Sequence, residues 1–402
     1  MILTTSRLSL AAVALFSFLP AILARPLPIR LAPSDAAVGA RTGAAVAADH
    51  DSLVVGAPDD DVTGPLAGSV YVYIRNGNTW EQQAKVIGPV TKGHRSFGES
   101  VGISRNLMVV GAPLEGARNN PTGAAYVYVR MGTQWTLEAK LAPADSAGNQ
   151  QFGNAVAIDG GTIVVGAYLD SATQLNAGAA YVFTRSNGRW IQRAKLVASD
   201  LSAFAFFGSA VAIDRENIVV GSPTAETAYL FSTQNGSWKQ RAILVPFDAV
   251  SGDYTAFGSA VDIKGNTIIV GAPSEGMEAV LAGAAYLFKV QIGGCLPEGK
   301  LMAPDGGEED EFGTSVAVTG QVFAVGAPYH GSINQGAVYV FMRTANDAPL
   351  KAEFRGTEIP ATFLGTSVCA TDDALFAGAP AFKEYPYAPA GAAYIFQPHG
   401  GK

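Results

Sequence analysis

The sequence predicts an all-β fold: a seven-bladed β-propeller with four-stranded blades. Three observations predict it. Seven segments share one pattern at a nearly constant period, each segment holds four short strand-like runs, and none follows a helical 3.6-residue rhythm. The first anchor is Phe97-Gly98, Phe152-Gly153, Phe207-Gly208, Phe257-Gly258 and Phe312-Gly313, with Thr42-Gly43 and Leu364-Gly365 as variants. Successive glycines are 55, 55, 55, 50, 55 and 52 residues apart. The second anchor is Gly-Ala-Pro, beginning at Gly56, Gly111, Gly271, Gly326 and Gly378, with Gly166-Ala167-Tyr168 and Gly221-Ser222-Pro223 as variants. It follows the first by 13 residues in every repeat.

Within a repeat, strand a follows the first anchor, as in Ala155-Val156-Ala157-Ile158, and its small residues suit the crowded centre of a radial fold. Strand b is a continuous apolar run such as Ile163-Val164-Val165, expected of a strand covered on both faces. A proline then ends it, having no N–H for the ladder. Strand c carries an aromatic pattern, for example Tyr71-Val72-Tyr73 and Tyr181-Val182-Phe183. Strand d carries Trp80, Trp135, Trp190 or Trp238, followed by an Ala-Lys or Ala-Ile pair. Asn76-Gly77 and Asn187-Gly188 are tight hairpin signals between c and d. A parallel β-helix is the rival architecture, but its repeats are shorter.

Leu31-Ala32-Pro33-Ser34-Asp35 precedes Gly43 as Leu141-Ala142-Pro143-Ala144-Asp145 precedes Gly153, two periods later. Residues 29–35 therefore read as a strand d without its own a, b and c. The last repeat has a, b and c, so the N-terminal strand is expected to complete blade seven and leave no unpaired edge.

Residues 1–24 (MILTTSRLSLAAVALFSFLPAILA) read as a secretory signal peptide, with Arg7 before an apolar run too short to span a bilayer. The mature chain, 25–402, is then one propeller domain, secreted or, in a bacterial host, periplasmic. No later stretch reaches eighteen apolar residues, so no membrane span is expected. Hydrophobic residues make up 48% and charged residues 15% of the 402, which excludes wholesale disorder. A net charge of −7 argues against nucleic acid as partner. Cys295 and Cys369 fall two blades apart, at different radii, so no disulfide is expected. Asn235-Gly236-Ser237 is a glycosylation sequon if the host is eukaryotic.

Phe-Gly followed by Gly-Ala-Pro resembles the FG-GAP repeat family, which includes the head propeller of integrin α-subunits and many exported bacterial proteins. The resemblance is closest to the short-repeat, non-calcium subtype, and it implies a seven-bladed propeller used for adhesion or recognition. Integrin-like repeats often hold a calcium loop between strands a and b. Here that connection is a short turn, as at Asp49-His50-Asp51-Ser52 and Asp214-Arg215-Glu216-Asn217, too short to wrap a cation with six to eight oxygens. No metal and no cofactor are expected.

The b–c and inter-blade d–a loops share one face and are longer and more polar than the a–b and c–d turns. They form the expected recognition face. From b–c loops it carries Asp59, Asp60, Asp61, Glu115, Arg118, Asn119, Tyr168, Asp170, Glu275, Tyr329, His330, Lys383, Glu384, Tyr385 and Tyr387. From inter-blade loops it carries Lys92, His94, Arg95, Asp253, Tyr254, Glu308, Glu309, Asp310 and Glu311. The acidic groups suit a basic partner or calcium, or are simply solvated loop charge. The tyrosines suit sugar stacking or a protein hot spot, or are loop packing. Blade four lacks seven residues of its b–c loop, since Pro223 to Tyr229 is 6 residues where Pro113 to Tyr126 is 13. A notch flanked by Tyr168 and Tyr254 is expected above it.

No nucleophile elbow, metalloprotease helix or phosphate loop is present. The four histidines lie in turns or tails, and Ser209 and Ser259 are repeat-position residues. The reading is a non-catalytic module that recognises an extracellular protein. A lectin-like carbohydrate binder is the alternative, and a hydrolase or lyase with carboxylates converging on the central channel is a third.

Overall fold

In the computed structural model the described residues are 28–396, without 36, 63, 90–94, 118, 146–147, 251–252, 277–279, 345–347, 357–361 and 382–389. Residues 1–24, read above as a signal peptide, lie outside them. Seven four-stranded antiparallel sheets form the blades of a propeller. Blade three is representative: strands Val156–Asp159, Thr162–Ala167, Ala179–Ser186 and Arg189–Leu196 pair in that order. In blade seven the outer strand is Ile29–Leu31, which pairs antiparallel with Ala392–Phe396.

The core is a set of layers between neighbouring blades rather than one central mass. Strand b explains this. Ile163 and Val165 face back onto Leu107, Val109 and Val127 of blade two, while Val164 faces forward onto Ile218 and Val220 of blade four. Each b strand is therefore apolar on both sides, as its unbroken sequence demands. The Phe of each first anchor is fully buried and meets the strand c aromatics edge-on. Phe152 lies 5.5 Å from Tyr181 and 6.0 Å from Phe183. In blades one to six the c–d pairing slips by one residue, between Val182 and Phe183 in blade three. A bulge of this kind adds the twist a blade needs between hub and rim.

The two sequence anchors meet in space. The first-anchor glycine of each blade donates its N–H to the second-anchor carbonyl of the same blade, as Gly153 does to Gly166 at 2.9 Å. Its own carbonyl lies against the second-anchor glycine of the preceding blade. A Cβ on Gly166 would stand 2.1 Å from the Gly208 oxygen. The same contact closes the ring, with Gly378 against the Gly43 oxygen, and Ser367 Oγ donates to that oxygen at 2.9 Å. The motif thus marks the blade-to-blade junction.

Candidate functional site

Most a–b turns are two residues long, and their acids staple one blade to the next. Asp159 accepts the Arg215 N–H at 2.6 Å and Asp214 accepts the Gly265 N–H at 3.0 Å. Asp49 accepts the Arg105 N–H. These groups ring a channel mouth of about 340 Å³ together with Asp262 and Lys264. In the sequence they read as ordinary turn residues, because the acceptor and its donor lie about one full repeat apart.

Asp262 replaces the small residue that strand a has elsewhere, at the position of Ala157 and Cys369. It accepts the Val318 N–H at 2.8 Å, and burial pushes its carboxyl up to about 6. A raised acid binds its proton more tightly folded than unfolded. It therefore costs stability as pH rises from its ordinary value through 6. Asp262→Asn is expected to stabilise the protein by about 1–2 kcal/mol at pH 7 and to give no gain at pH 4. Thermal melts at both pH values test this; an equal gain at the two would refute it.

On the opposite face the structure corrects the picture of solvated loop acids. Asp60, Glu115, Asp170 and Glu275 turn inward and are buried. Each meets a strand d lysine that stands directly opposite the strand c tyrosine: Lys85 across from Tyr71, Lys140 from Tyr126, Lys195 from Tyr181 and Lys300 from Tyr286. In blade three, Asp170 is 1% exposed. It accepts from Tyr181 at 2.7 Å, from Gln150 at 2.6 Å and from Lys195 at 3.0 Å. Asp145, reaching in from the preceding inter-blade loop, accepts from Lys195 at 2.6 Å and stands 3.0 Å from the Tyr181 hydroxyl. Burial raises the Asp145 carboxyl, but these bonds outweigh it and hold the group below its usual range. Burial pushes the Tyr181 phenol up, and the two acids push it further. Lys195 also lies over the Tyr181 ring, 5.3 Å from its centroid. Blades one and five repeat the plan through Asp35 and Asp248. The recurring Lys was visible in the sequence, but its partners are 25 and 50 residues away and on two blades.

Blades four and six depart from the plan, and blade seven sets Arg30 opposite Tyr394. Blade four has Ile243 in place of the lysine and Ala225 in place of the b–c loop acid, and keeps only the inter-blade acid, Asp200, which accepts from the Tyr229 hydroxyl at 2.9 Å. Its short b–c connection is a single turn, Pro223–Ala225, and Glu226 then reaches across to accept from Thr255 and the Ala256 N–H. The clamp ties the short connection of blade four to the inter-blade loop that follows it. Blade six has Glu353 opposite Tyr339 and His330 at the acid position.

The other predicted residues take separate places. Asp59 is half-buried beside Arg41, at 3.6 Å, and Asp61 is exposed and accepts the Leu66 N–H at 2.8 Å. Tyr168 is half-buried, stacked edge-on against Phe206 at 5.7 Å, with its hydroxyl donating to Gln151 at 2.8 Å. Tyr329 stacks likewise on Phe363 at 5.6 Å but keeps an exposed edge. Tyr254 is 55% exposed. Ser209 and Ser259 donate to nearby carbonyls at 2.7 Å. Asn235 lies with Gly236 in the c–d hairpin of blade four, on the face opposite the recognition loops. Arg118, Lys92, His94, Lys383, Glu384, Tyr385 and Tyr387 lie outside the described residues. Cys295 takes the tryptophan position of strand d in blade five, where burial pushes its thiol up to about 11. Both cysteines are free.

The model of the FG-GAP repeat matches residues 29–73, 80–128, 135–183, 190–237, 238–288 and 297–341. The chain belongs to the FG-GAP repeat family. The last blade, from Gly365 onward, falls outside the matched segments, yet its strands Ser367–Ala370, Leu375–Ala379 and Ala392–Phe396 complete the same plan. No curated protein matches the chain. Among solved structures, that of U3-55K is similar, with a TM-score of 0.58 at 11% identity, covering 92% of this chain and 98% of that one. At this identity the likeness concerns the fold alone. Among the described residues, no helix is long and apolar enough to cross a membrane.

Proposed function

We propose that this FG-GAP propeller is an exported, non-catalytic recognition module that binds an extracellular protein through its b–c and inter-blade loops. The observation that supports this most is where exposed apolar side chains fall. Leu175, Phe204, Val250, Tyr254, Val280 and Ile333 all stand on these loops, whereas on the opposite face the a–b turns expose none among the described residues and the c–d hairpins expose Met131 and Ile292 singly, on separate blades. Exposed apolar groups on a rigid frame are the usual anchors of a protein interface. The frame here is stiffened by the buried Lys–Tyr–acid networks directly beneath. Leu175 and Phe204 are neighbours across a blade junction, since the Phe204 N–H donates to the Leu175 carbonyl at 2.8 Å.

A photo-crosslinking residue at position 204 or 254 is expected to capture one protein from the extracellular fraction of the source organism. The same residue at 187, on the opposite hairpin face, is expected to capture none. Equal capture on the two faces, or none on either, would overturn the reading. The exposed Tyr254 ring favours carbohydrate as the second reading. Binding to a defined glycan on an array, lost in Tyr254→Ala and unaffected by chelator, would replace the protein partner with a sugar.

A further inference from the structure

We propose that Asp305, His330 and Glu353, in blade six and the inter-blade loop before it, form a binding site for a divalent transition-metal ion of the zinc class. One ligand atom from each lies within 4.8 Å of the others. The argument begins with what the other blades do at this position. In blades one, three and five, a lysine ammonium sits between two carboxylates beside the strand c tyrosine. In blade six that lysine is a glutamate, Glu353, and one of the two acids is a histidine, His330. The interior ammonium is gone and a carboxylate has taken its place, while Asp305 remains and Asp310 stands where blade three has Gln150. The site keeps one of the two acids that held a cation, Asp305, adds the carboxylates of Glu353 and Asp310, and lacks the chain's own ammonium.

His330 supplies the second observation. It is 7% exposed, and its Nδ1 is hydrogen-bonded to the buried Asp310 carboxylate at 2.8 Å. Its Nε2 is buried with no hydrogen-bond partner among the described residues, and the Asp305 carboxylate stands 3.9 Å away. A carboxylate that accepts a hydrogen bond from Nδ1–H fixes the ring and tautomer and leaves Nε2 as a lone-pair donor, which is how metal-ligating histidines are held. A buried lone pair without a donor costs free energy, and a metal ion would satisfy it. One imidazole and two carboxylates suit zinc or a neighbouring transition ion, whereas calcium prefers an all-oxygen shell.

Zinc bonds of about 2.0–2.2 Å place ligand atoms roughly 3.3 Å apart, so the group must close by about 1.5 Å. Arg355 now bridges Glu353 and Asp305. Its side chain is 56% exposed, so it can withdraw into solvent as the ion enters. An adjoining groove of about 640 Å³, walled by Asp305, Glu308, Glu309, Asp310 and Glu311, gives a cation a route in.

The test is calorimetric titration of zinc chloride into the untagged, chelator-stripped full chain, with melting curves in parallel. The expected result is one equivalent bound and a raised melting temperature, unaffected by millimolar calcium. His330→Gln is expected to weaken binding by more than about tenfold. Glu353→Lys rebuilds the arrangement of the other blades, so it is expected to fold, to melt at or above the wild-type temperature, and to bind no zinc. No binding by the wild-type chain, or binding unchanged in Glu353→Lys, would overturn the proposal.

Discussion

Gly208→Ala is expected to lower the unfolding free energy by about 2–5 kcal/mol, adding left-handed backbone strain to the cost of overpacking. Gly208 has φ +93°, and a Cβ there would stand 2.3 Å from the Ala179 carbonyl oxygen and 3.3 Å from the Ala167 nitrogen. Both obstacles are backbone atoms of the preceding blade, so no side chain can swing away. The control is Gly188→Ala in a c–d hairpin. Its φ is +72°, but nothing lies within 4 Å of the new Cβ. Only the conformational cost of about 1–2 kcal/mol applies there. The difference between the two variants in urea unfolding isolates the blade junction. Equal losses would mean that the junction is not closely packed, and the account of the repeat motif given above would be wrong.

Lys195→Met is expected to cost about 3–5 kcal/mol, because it leaves Asp170 charged, buried and without its cation. The double variant Lys195→Met with Asp170→Leu is expected to recover most of the loss, since an apolar pair replaces the ion pair without stranding a charge. Failure of the double variant to recover would show that the lysine acts through packing on Tyr181 rather than through charge. The pH dependence adds a second readout. Asp145 is held below its usual range, net of burial, by Lys195 and Tyr181. A depressed carboxylate contributes stability that is present above its unfolded value, about 3.9, and is lost as pH falls through the lower folded value. Asp35 behaves alike, chiefly through its hydrogen bond from Lys85. The wild-type protein should therefore lose stability steeply below about pH 4, and Lys195→Met less steeply.

The three consecutive acids Asp59, Asp60 and Asp61 show what could be read in advance and what could not. In sequence they are one acidic cluster. In the fold Asp59 turns to Arg41, Asp60 goes into the blade to Lys85, Ser69 and Tyr71, and Asp61 holds its own loop. Neighbours in a turning loop point in different directions, and the partner of each is set by a different strand. Tyr168 and Tyr329 stand in turns after strand b, and the phenylalanines that cover them, Phe206 and Phe363, come from the next blade. His330 reads as a loop histidine until Glu353 is set opposite Tyr339, and only strand pairing does that.

The sequence by itself determined the architecture. Seven glycine pairs at a spacing of 13 residues specify the same hydrogen bond seven times, within one short stretch of chain. The run Leu31 to Asp35 likewise carried the identity of a strand d, whose place beside Ala392–Phe396 follows from the ring. Only the tertiary structure decided the chemistry of the loop face. Its groups lie 25 or 50 residues apart on neighbouring blades, and whether an acid meets water, a lysine or a histidine depends on that packing. Local contacts repeat with the chain and can be read from its period. Contacts across blades are set by the closed ring, where one exchanged residue, Glu353 for lysine, changes what a site can hold.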